Sequence, residues 1–213
     1  MPENVTLRRF CGEGYAARLQ RDHGFEVVGR GGGVAFGGTI VLARSGSDAV
    51  VKVGSSPAGD PWPLYAAHCL QHPGPFKPAV RHLAWHGKGI SRFFVATMDR
   101  LTAVNWPAHQ PLILALHHWY EMLIAHDIDY RRMGDGENDP RPAAWLVTEL
   151  IRFDLPDIAA FVRELAETFP GPMLDPQPCN WMVSGDGRLV MIDPFSRTVA
   201  NVPETAPRLL RRA

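Results

Sequence analysis

The sequence predicts an α+β fold in which an antiparallel sheet comes first along the chain and a mainly helical part follows. Short runs rich in Val and Ile alternate with glycine clusters over residues 25–53, which is typical of strands joined by turns. From residue 107 onward, apolar residues instead recur at helical spacing. The chain has 213 residues, of which 46% are hydrophobic, so it can bury one core or two lobes that share a cleft. We therefore predict a single domain over residues 1–213, with an N-lobe at 1–98 and a C-lobe at 99–213.

The N-lobe is predicted to contain about five antiparallel strands and one helix. Asp60 is a suitable N-cap, and Pro61 after it favours the first position of a helix. This helix would end before Pro73, because proline does not continue a helix. The strands are expected at residues 25–28, 39–43, 49–53, 80–85 and 92–98.

The C-lobe is predicted from two helical patterns and a hairpin. Apolar residues follow helical spacing over residues 112–123 and again over residues 158–165, with Asp154 or Asp157 as the candidate N-cap of the second helix. Residues 184–187 read Ser-Gly-Asp-Gly between two apolar runs, which is a strong signal for a β-hairpin.

The composition gives no bulk electrostatic reason to expect a nucleic acid or an anionic membrane as a partner. Lys and Arg together number 22, and Asp and Glu also number 22, so the charges cancel. The sequence indicates no signal peptide or membrane span. Cys11, Cys69 and Cys179 are odd in number and widely spaced, which suits reduced thiols. We expect a cytoplasmic protein.

The candidate chemistry lies at the end of the informative region. Asn180 follows Asp175 by five residues, and Asp193 lies thirteen residues beyond Asn180, on the far side of the predicted hairpin. A tight hairpin brings its two ends together, so these three side chains are expected to converge on one cleft. Such a cluster supplies a base for a hydroxyl proton and hard oxygen ligands for magnesium.

These residues resemble the motifs of the protein-kinase superfamily. Asp175 and Asn180 match the D-x-x-x-x-N catalytic loop, and Asp193 matches the aspartate that opens the D-F-G motif. Because Pro194 follows Asp193, the segment is similar in particular to kinase-like proteins of tailed bacteriophages. The resemblance implies a bilobal protein-kinase-like fold with a reduced, mainly helical C-lobe. It also implies ATP and Mg²⁺ as cofactors, Asp175 as the catalytic base, and Asn180 and Asp193 as magnesium ligands.

Residues in the predicted sheet resemble the phosphate-binding part of such kinases. Gly29, Gly31 and Gly33 lie where a glycine-rich loop would let backbone amides approach phosphates. Lys52 lies in an apolar strand, where an isolated lysine is unusual, and it resembles the lysine that contacts the α- and β-phosphates. The resemblance therefore implies that these four residues bind the nucleotide.

The resemblance also implies a hinge and an insertion. Met98, Asp99 and Arg100 resemble the hinge whose backbone groups pair with adenine, with Met98 as the gatekeeper or its neighbour. Residues 102–150 form a longer segment between hinge and catalytic loop than is usual in the family. We expect this insertion to cover the C-lobe in place of the helices that usually follow the catalytic region.

Several departures from the family pattern predict weak transfer. The sequence has no glutamate between Glu26 and Glu121, so the helix-borne partner of the lysine is missing, and Asp60 is the nearest carboxylate. Gln177 stands where the family has a lysine, which removes a positive charge from the transferring phosphate. Each loss lowers the electrostatic stabilisation of the transition state.

Three alternatives stay open from the sequence. An aminoglycoside or choline kinase-like phosphotransferase uses a similar motif for a small-molecule acceptor. A pseudokinase would bind a host protein without transferring phosphate. The active kinase that the resemblance implies would instead modify serine or threonine of host proteins or of itself, in the bacterial host cytoplasm. Paired ligands at helical spacing also suggest a zinc site, and the pairs are His68 with His72, His82 with His86, and His117 with Glu121.

Overall fold

The computed structural model describes residues 12–31, 38–55, 61–88, 92–128, 139–170 and 173–196. Its helices are α1 (Glu13–His23), α2 (Trp62–Gln71), α3 (Gln110–Ala125), α4 (Arg141–Arg152) and α5 (Pro156–Thr168). Its strands are β1 (Glu26–Gly31), β2 (Thr39–Ala43), β3 (Ala49–Ser55), β4 (Val80–His86), β5 (Phe93–Asp99), β6 (Thr102–Ala103), β7 (Met173–Leu174), β8 (Trp181–Val183), β9 (Leu189–Met191) and β10 (Phe195–Ser196). Short 3₁₀ helices precede α3 and β8.

The predicted antiparallel sheet is confirmed. Five strands pair in the order β1-β2-β3-β5-β4, and every pair is antiparallel. The strands lie where the β-branched runs predicted them, although β1 and β3 extend further toward their C-terminal ends. In this register Lys52 of β3 lies between Val41 of β2 and Ala96 of β5. The chain is therefore a mixed α/β protein in which the five-stranded sheet precedes α3, α4 and α5.

One face of the sheet carries a helix that the sequence did not predict. Ala16 of α1 is buried with Ile40, Leu42 and Val53, so α1 closes the face opposite to Lys52. The expectation of one helix beside the sheet was therefore wrong, because the sheet contacts both α1 and α2. The apolar stripe of α1 is short and lies among many charged residues, so its periodicity is weak.

Helix α2 lies on the other face of the sheet and is apolar nearly all round. Eight of its residues, from Trp62 to Cys69, are buried, because the sheet covers one side of α2 and the helices of the second half of the chain cover the other. The helix begins one residue later than predicted, with Pro61 in the cap position and no side-chain cap. The proposed cap, Asp60, lies outside the described residues.

Helices α3, α4 and α5 form a layer that continues the same core. The buried cluster joins the sheet face and α2 to apolar residues of this layer, among them Leu112, Trp119, Leu123, Leu146, Leu150, Ile158, Phe161 and Leu165. The capping prediction for α5 was wrong. Leu155 occupies the cap position without a side-chain bond, while Asp157 lies in the first turn, where its charge interacts favourably with the helix dipole. None of the described helices is long and apolar enough to cross a membrane.

A buried polar cluster fixes α2 to this helical layer. Lys77 Nζ lies 2.6 Å from Glu164 Oε1 of α5 and 3.1 Å from His68 Nε2 of α2. Burial lowers the pKa of His68, and the nearby Lys77 lowers it further, against the opposing effect of Glu164. Burial opposes ionisation of Glu164, but its hydrogen bonds with Lys77 and His68 outweigh burial and lower its pKa. His68 Nε2 lies within hydrogen-bond distance of both Lys77 Nζ and Glu164 Oε1, so the cluster ties α2 to α5.

We expect Gly54→Ala to destabilise the fold by about 1–3 kcal/mol, the usual range for overpacking a buried site. A Cβ at Gly54 would lie 2.2 Å from Cζ of Phe94, whose ring is fully buried and stacked on Trp62. Urea unfolding measures the effect. Gly29→Ala is the matched control, since its Cβ would meet Val41 at an ordinary 3.6 Å. Equal stability of the Gly54 variant and the wild type would contradict this packing.

Candidate active site

The loop at residues 175–180 is held against residues 193–196 by backbone contacts. The N–H of Asp175 donates to the carbonyl of Pro194 at 2.7 Å, and β7 pairs with β10 through Leu174 and Phe195. The indole N–H of Trp181 donates to the carbonyl of Pro176 at 3.1 Å, in a buried position. The loop conformation is therefore fixed at both of its ends.

Asn180 joins this loop to the strand end that precedes Asp193. Its side-chain Nδ2 donates to the carbonyl of Asp175 at 2.8 Å, and its own carbonyl accepts from the N–H of Ile192 at 2.8 Å. The predicted hairpin between β8 and β9 is confirmed, with Gly187 in the left-handed conformation at φ 85°. Through this hairpin, Asp175, Asn180 and Asp193 lie next to one another in space.

The electrostatics of Cys179 indicate that the two carboxylates share one region. Burial raises the pKa of the Cys179 thiol, and the charges of Asp175 and Asp193 both raise it further. Asp193 also contributes to the raised pKa of Tyr65, whose main cause is burial. The Asp193 carboxylate therefore acts on groups of the loop and of α2 at once.

Asp175 has the properties of a poised base. Its Oδ1 atom is buried and has no hydrogen-bond partner among the described residues. Burial raises the pKa of this carboxyl group, although hydrogen bonds from the backbone of Gln177 and the side chain of Asn180 lower it in part. A carboxylate with one unsatisfied oxygen gains from a hydroxyl donor or a cation placed at that oxygen.

The donor set of the site fits a magnesium ion. Magnesium prefers carboxylate, amide and phosphate oxygens. Oδ1 is the side-chain atom of Asn180 that could bind a cation, because an amide nitrogen offers no lone pair to a metal, and it accepts a hydrogen bond from Cys179 Sγ at 3.8 Å. Asn180 and Asp193 are therefore the residues that could hold the metal.

Trp62, which the sequence analysis did not identify, contacts both Lys52 and the segment that carries Asp193. The Nζ atom of Lys52 lies 3.6 Å from the centre of the Trp62 ring, which is within the range of a cation–π interaction. The indole N–H of Trp62 donates to the carbonyl of Ile192 at 2.9 Å, immediately before Asp193. The one sequence feature that could have indicated this role of Trp62 is its position at the start of the helix that follows the strand of Lys52.

The glycines predicted to bind phosphates are only partly within the described residues. Gly29 lies in β1 opposite Val41, next to a bulge in the pairing, and Gly31 ends the strand opposite Thr39. Gly33 and the rest of the loop up to residue 37 lie outside the described residues. The structure thus gives the strands that flank the predicted glycine-rich loop.

The predicted hinge follows β5, and two of its backbone donors are already used. Met98 is buried on the α2 side of the sheet. The N–H of Asp99 donates to the carbonyl of Ala79 at 3.1 Å, and the N–H of Arg100 donates to the carbonyl of Asp48 at 2.7 Å. Adenine could therefore pair with hinge carbonyl groups but not with these two N–H groups.

The histidine pairs do not assemble a zinc site within the described parts of the chain. No group of three or more His, Cys, Asp or Glu side chains there is arranged to hold a metal ion. His117 instead pairs with Glu121 at 3.3 Å on α3, and the rings of His68 and His72 lie 5.0 Å apart. Cys69 and Cys179 are free thiols, while Cys11 lies outside the described residues.

An apolar recess of about 260 Å³ lies beside the loop that carries Asp175. Pro176, Gln177 and Pro178 form one wall, and α3 forms the other. The α3 residues that line the recess are Ile113, Leu116, His117, Trp119 and Tyr120. Helix α3, which lies in the segment predicted to be an insertion at residues 102–150, therefore borders the candidate site.

No protein-family model and no curated protein matches the chain. Among solved structures, the chain is similar to a MAP kinase from Leishmania major, with 8% sequence identity and a TM-score of 0.40. The similarity covers 88% of this chain and 51% of the kinase, so the chain spans about half of that protein's length. At that identity and TM-score, the likeness assigns neither a family nor an activity.

We expect Asp175→Asn to increase the free energy of unfolding at pH 7 in the absence of metal. The raised pKa means that the folded protein binds this proton more tightly than the unfolded chain, so the ionised carboxylate destabilises the fold at neutral pH. The gain should shrink as the pH falls toward about 4, the ordinary carboxyl pKa. Urea unfolding at both pH values measures it.

Asp186→Asn is the matched control for this prediction. Asp186 is exposed in the hairpin turn, and hydrogen bonds with Ser184 and Arg188 lower its pKa, so this substitution should not stabilise the protein. An Asp175→Asn protein no more stable than the wild type at pH 7 would contradict the strained state of the carboxylate.

Proposed function

We propose that this protein is a phosphotransferase of the protein-kinase-like type that uses ATP and magnesium. The observation that carries the proposal is the set of bonds between residues 175–180 and residues 192–194, of which the shortest is the 2.7 Å bond from Asp175 N–H to Pro194 O. They hold the backbone of Asp175, Asn180 and the segment around Asp193 together, which supports a shared site for the three side chains. Phosphoryl transfer depends mainly on such positioning and on electrostatic stabilisation.

Asp175 would act as the base. Its carboxylate, one oxygen of which has no hydrogen-bond partner among the described residues, would accept a hydrogen bond from an entering hydroxyl group. The hydroxyl would then be oriented toward the γ-phosphate, and Asp175 would take its proton as the new P–O bond forms and the bond from the γ-phosphorus to ADP breaks, which releases ADP. The raised pKa of Asp175, caused mainly by burial, makes its carboxylate a better proton acceptor than that of an exposed aspartate.

Asn180, Asp193 and Lys52 would bind the phosphates of ATP. Magnesium held by Asn180 and Asp193 would neutralise charge on the β- and γ-phosphate oxygens. The ammonium of Lys52, held over the Trp62 ring, would contact the α- and β-phosphates. Adenine would lie near Met98 and pair with carbonyl groups of the hinge, since the N–H groups of Asp99 and Arg100 bond within the protein.

The acceptor is proposed to be serine or threonine of a protein, either a host protein or this chain. The apolar recess beside the Asp175 loop supports an acceptor flanked by apolar side chains. It gives less support to an aminoglycoside-type acceptor, because a polycation is better matched by an acidic surface. A phage source and a host target rest on the Asp193–Pro194 resemblance alone.

A nucleotide-binding pseudokinase is the second candidate function. The occupied N–H groups of the hinge and the neutral Gln177 favour it, because both weaken features that active kinases use. The buried, unsatisfied oxygen of Asp175 favours an active enzyme, since a scaffold gains nothing from a destabilising carboxylate.

We expect slow but measurable phosphate transfer. The purified protein, incubated with labelled ATP, magnesium and a bacterial lysate, should label itself or a lysate protein. Asp175→Ala should lower the rate by about a hundredfold or more, the usual effect of losing a general base. Asp193→Ala should reduce transfer to background, because a proposed magnesium ligand is lost.

Asp186→Ala is the control, since this carboxylate is exposed in the hairpin turn and should leave transfer unchanged. The protein could instead bind ATP tightly but transfer no more phosphate than Asp193→Ala, either to proteins or to small-molecule acceptors. That result would contradict the enzyme and support the pseudokinase. Transfer to an aminoglycoside or choline but not to protein would replace the proposed acceptor.

A further inference from the structure

A lysine that contacts phosphates needs neighbours that fix its position, and among the described residues of this chain an aromatic ring is one of them. The sequence contains no glutamate between Glu26 and Glu121, so α2 offers no glutamate to Lys52. Trp62, at the start of α2, instead places its ring centre 3.6 Å from Lys52 Nζ. The ring is 3% exposed, and a cation–π contact is stronger when it is shielded from water.

The same side chain also contacts the segment that carries Asp193. The indole N–H of Trp62 donates to the Ile192 carbonyl at 2.9 Å. One turn further along α2, the hydroxyl of Tyr65 donates to the Met191 carbonyl at 2.8 Å. Two consecutive carbonyl groups before Asp193 are thus bound by two side chains from one face of α2, so the position of this segment depends on the helix.

The Trp62 ring is itself fixed from the side of the sheet. Phe94 of β5 stacks on it with ring centres 4.9 Å apart and an angle of 20°. The ring of Phe94 crosses β3 at Gly54, where any Cβ would collide with it. Trp62 therefore has few alternative orientations, and its face and its N–H are held ready for Lys52 and Ile192.

We propose that Trp62 is the positioning residue of the site, which holds Lys52 with its face and the Asp193 segment with its indole N–H. This inference rests on the proposed function and assigns to a neutral ring the place that a helix glutamate usually has. The cation–π contact would orient the ammonium of Lys52 toward the phosphates.

The proposal implies a site that is assembled without an activating movement of α2. His68 contacts Glu164 of α5 and the nearby Lys77, and Tyr65 donates to the Met191 carbonyl of β9, so α2 is also tied to α5 and to β9. An outward swing of the helix would break these buried bonds together with the contact of Trp62 to Ile192. Lys52 and the Asp193 segment would therefore already be aligned before the nucleotide binds.

The test separates the two contacts of Trp62 by substitution. Trp62→Phe keeps an aromatic face for Lys52 but loses the indole N–H, whereas Trp62→Leu loses both contacts. The chain has only three lysines, Lys52, Lys77 and Lys88, so selective ¹³C-lysine labelling resolves the ε-methylene signal of Lys52 by NMR. Trp119→Leu is the matched control, because Trp119 is also 3% exposed and its indole also donates to a backbone carbonyl, at 2.8 Å.

In wild type, we expect the ring current of Trp62 to shift the Lys52 signal upfield. Trp62→Phe should keep most of this shift. In Trp62→Leu, the signal should return to the position of the exposed Lys88 signal. Trp119→Leu should leave it shifted. In Mg·ATP titrations, Trp62→Phe should bind within about threefold of wild type, and Trp62→Leu about tenfold more weakly. Where transfer is measured, Trp62→Phe should lower kcat about tenfold with little change in KM, the effect of one lost hydrogen bond.

An unshifted Lys52 signal in wild type, or the same shift in wild type and Trp62→Leu, would overturn the positioning role. So would equal Mg·ATP affinity and equal kcat in all three proteins. If Trp62→Leu does not fold, the Lys52 shift in wild type and the change in kcat in Trp62→Phe still test the positioning role. A wild type that binds Mg·ATP but transfers no phosphate would refute the catalytic part of the proposed function, while the NMR shift and the affinities would still test Trp62.

Discussion

The burial of α2 between the sheet and the helical layer is the constraint on which the site depends. Because both sides of this helix are covered, its residues can contact β3 on one side and the strand end before Asp193 on the other. Trp62 makes both contacts, and the bonds of Tyr65 and His68 keep the helix in register with the C-terminal half of the chain. Removing this helix would leave Lys52 and Asp193 on separate parts of the molecule.

The site also holds a local conflict between stability and chemistry. Asp175 keeps one buried oxygen without a partner, and burial raises its pKa, so its ionised form is unfavourable in the fold. The surrounding loop tolerates this because backbone bonds to Pro194 and the indole of Trp181 hold it in place. Such an arrangement is expected where a carboxylate is kept for reaction and not for structure.

Much of this organisation could be predicted from local sequence. The strands were predicted because β-branched runs are bounded by glycine, and the hairpin because residues 184–187 offer a turn that suits a tight connection. The closeness of Asp175, Asn180 and Asp193 follows from that hairpin. Helix α1 was missed because its apolar stripe is short, and the cap of α5 because tertiary packing fixed a helix start that uses no side-chain bond. Trp62 could not be assigned, since its role arises from contacts between residues far apart in sequence, with Lys52, Phe94 and Ile192.

The central claim is that Asn180 and Asp193 hold a metal with nucleotide beside Lys52, and paramagnetic Mn²⁺ in place of magnesium tests it most directly. Adding Mn·ATP to ¹³C-lysine-labelled protein should broaden the Lys52 signal strongly in wild type, because the metal would bind close to that side chain. Asp193→Ala should remove the broadening at the same Mn·ATP concentration, through loss of the metal ligand. Equal broadening in the two proteins, or none in wild type with ATP bound, would contradict the account.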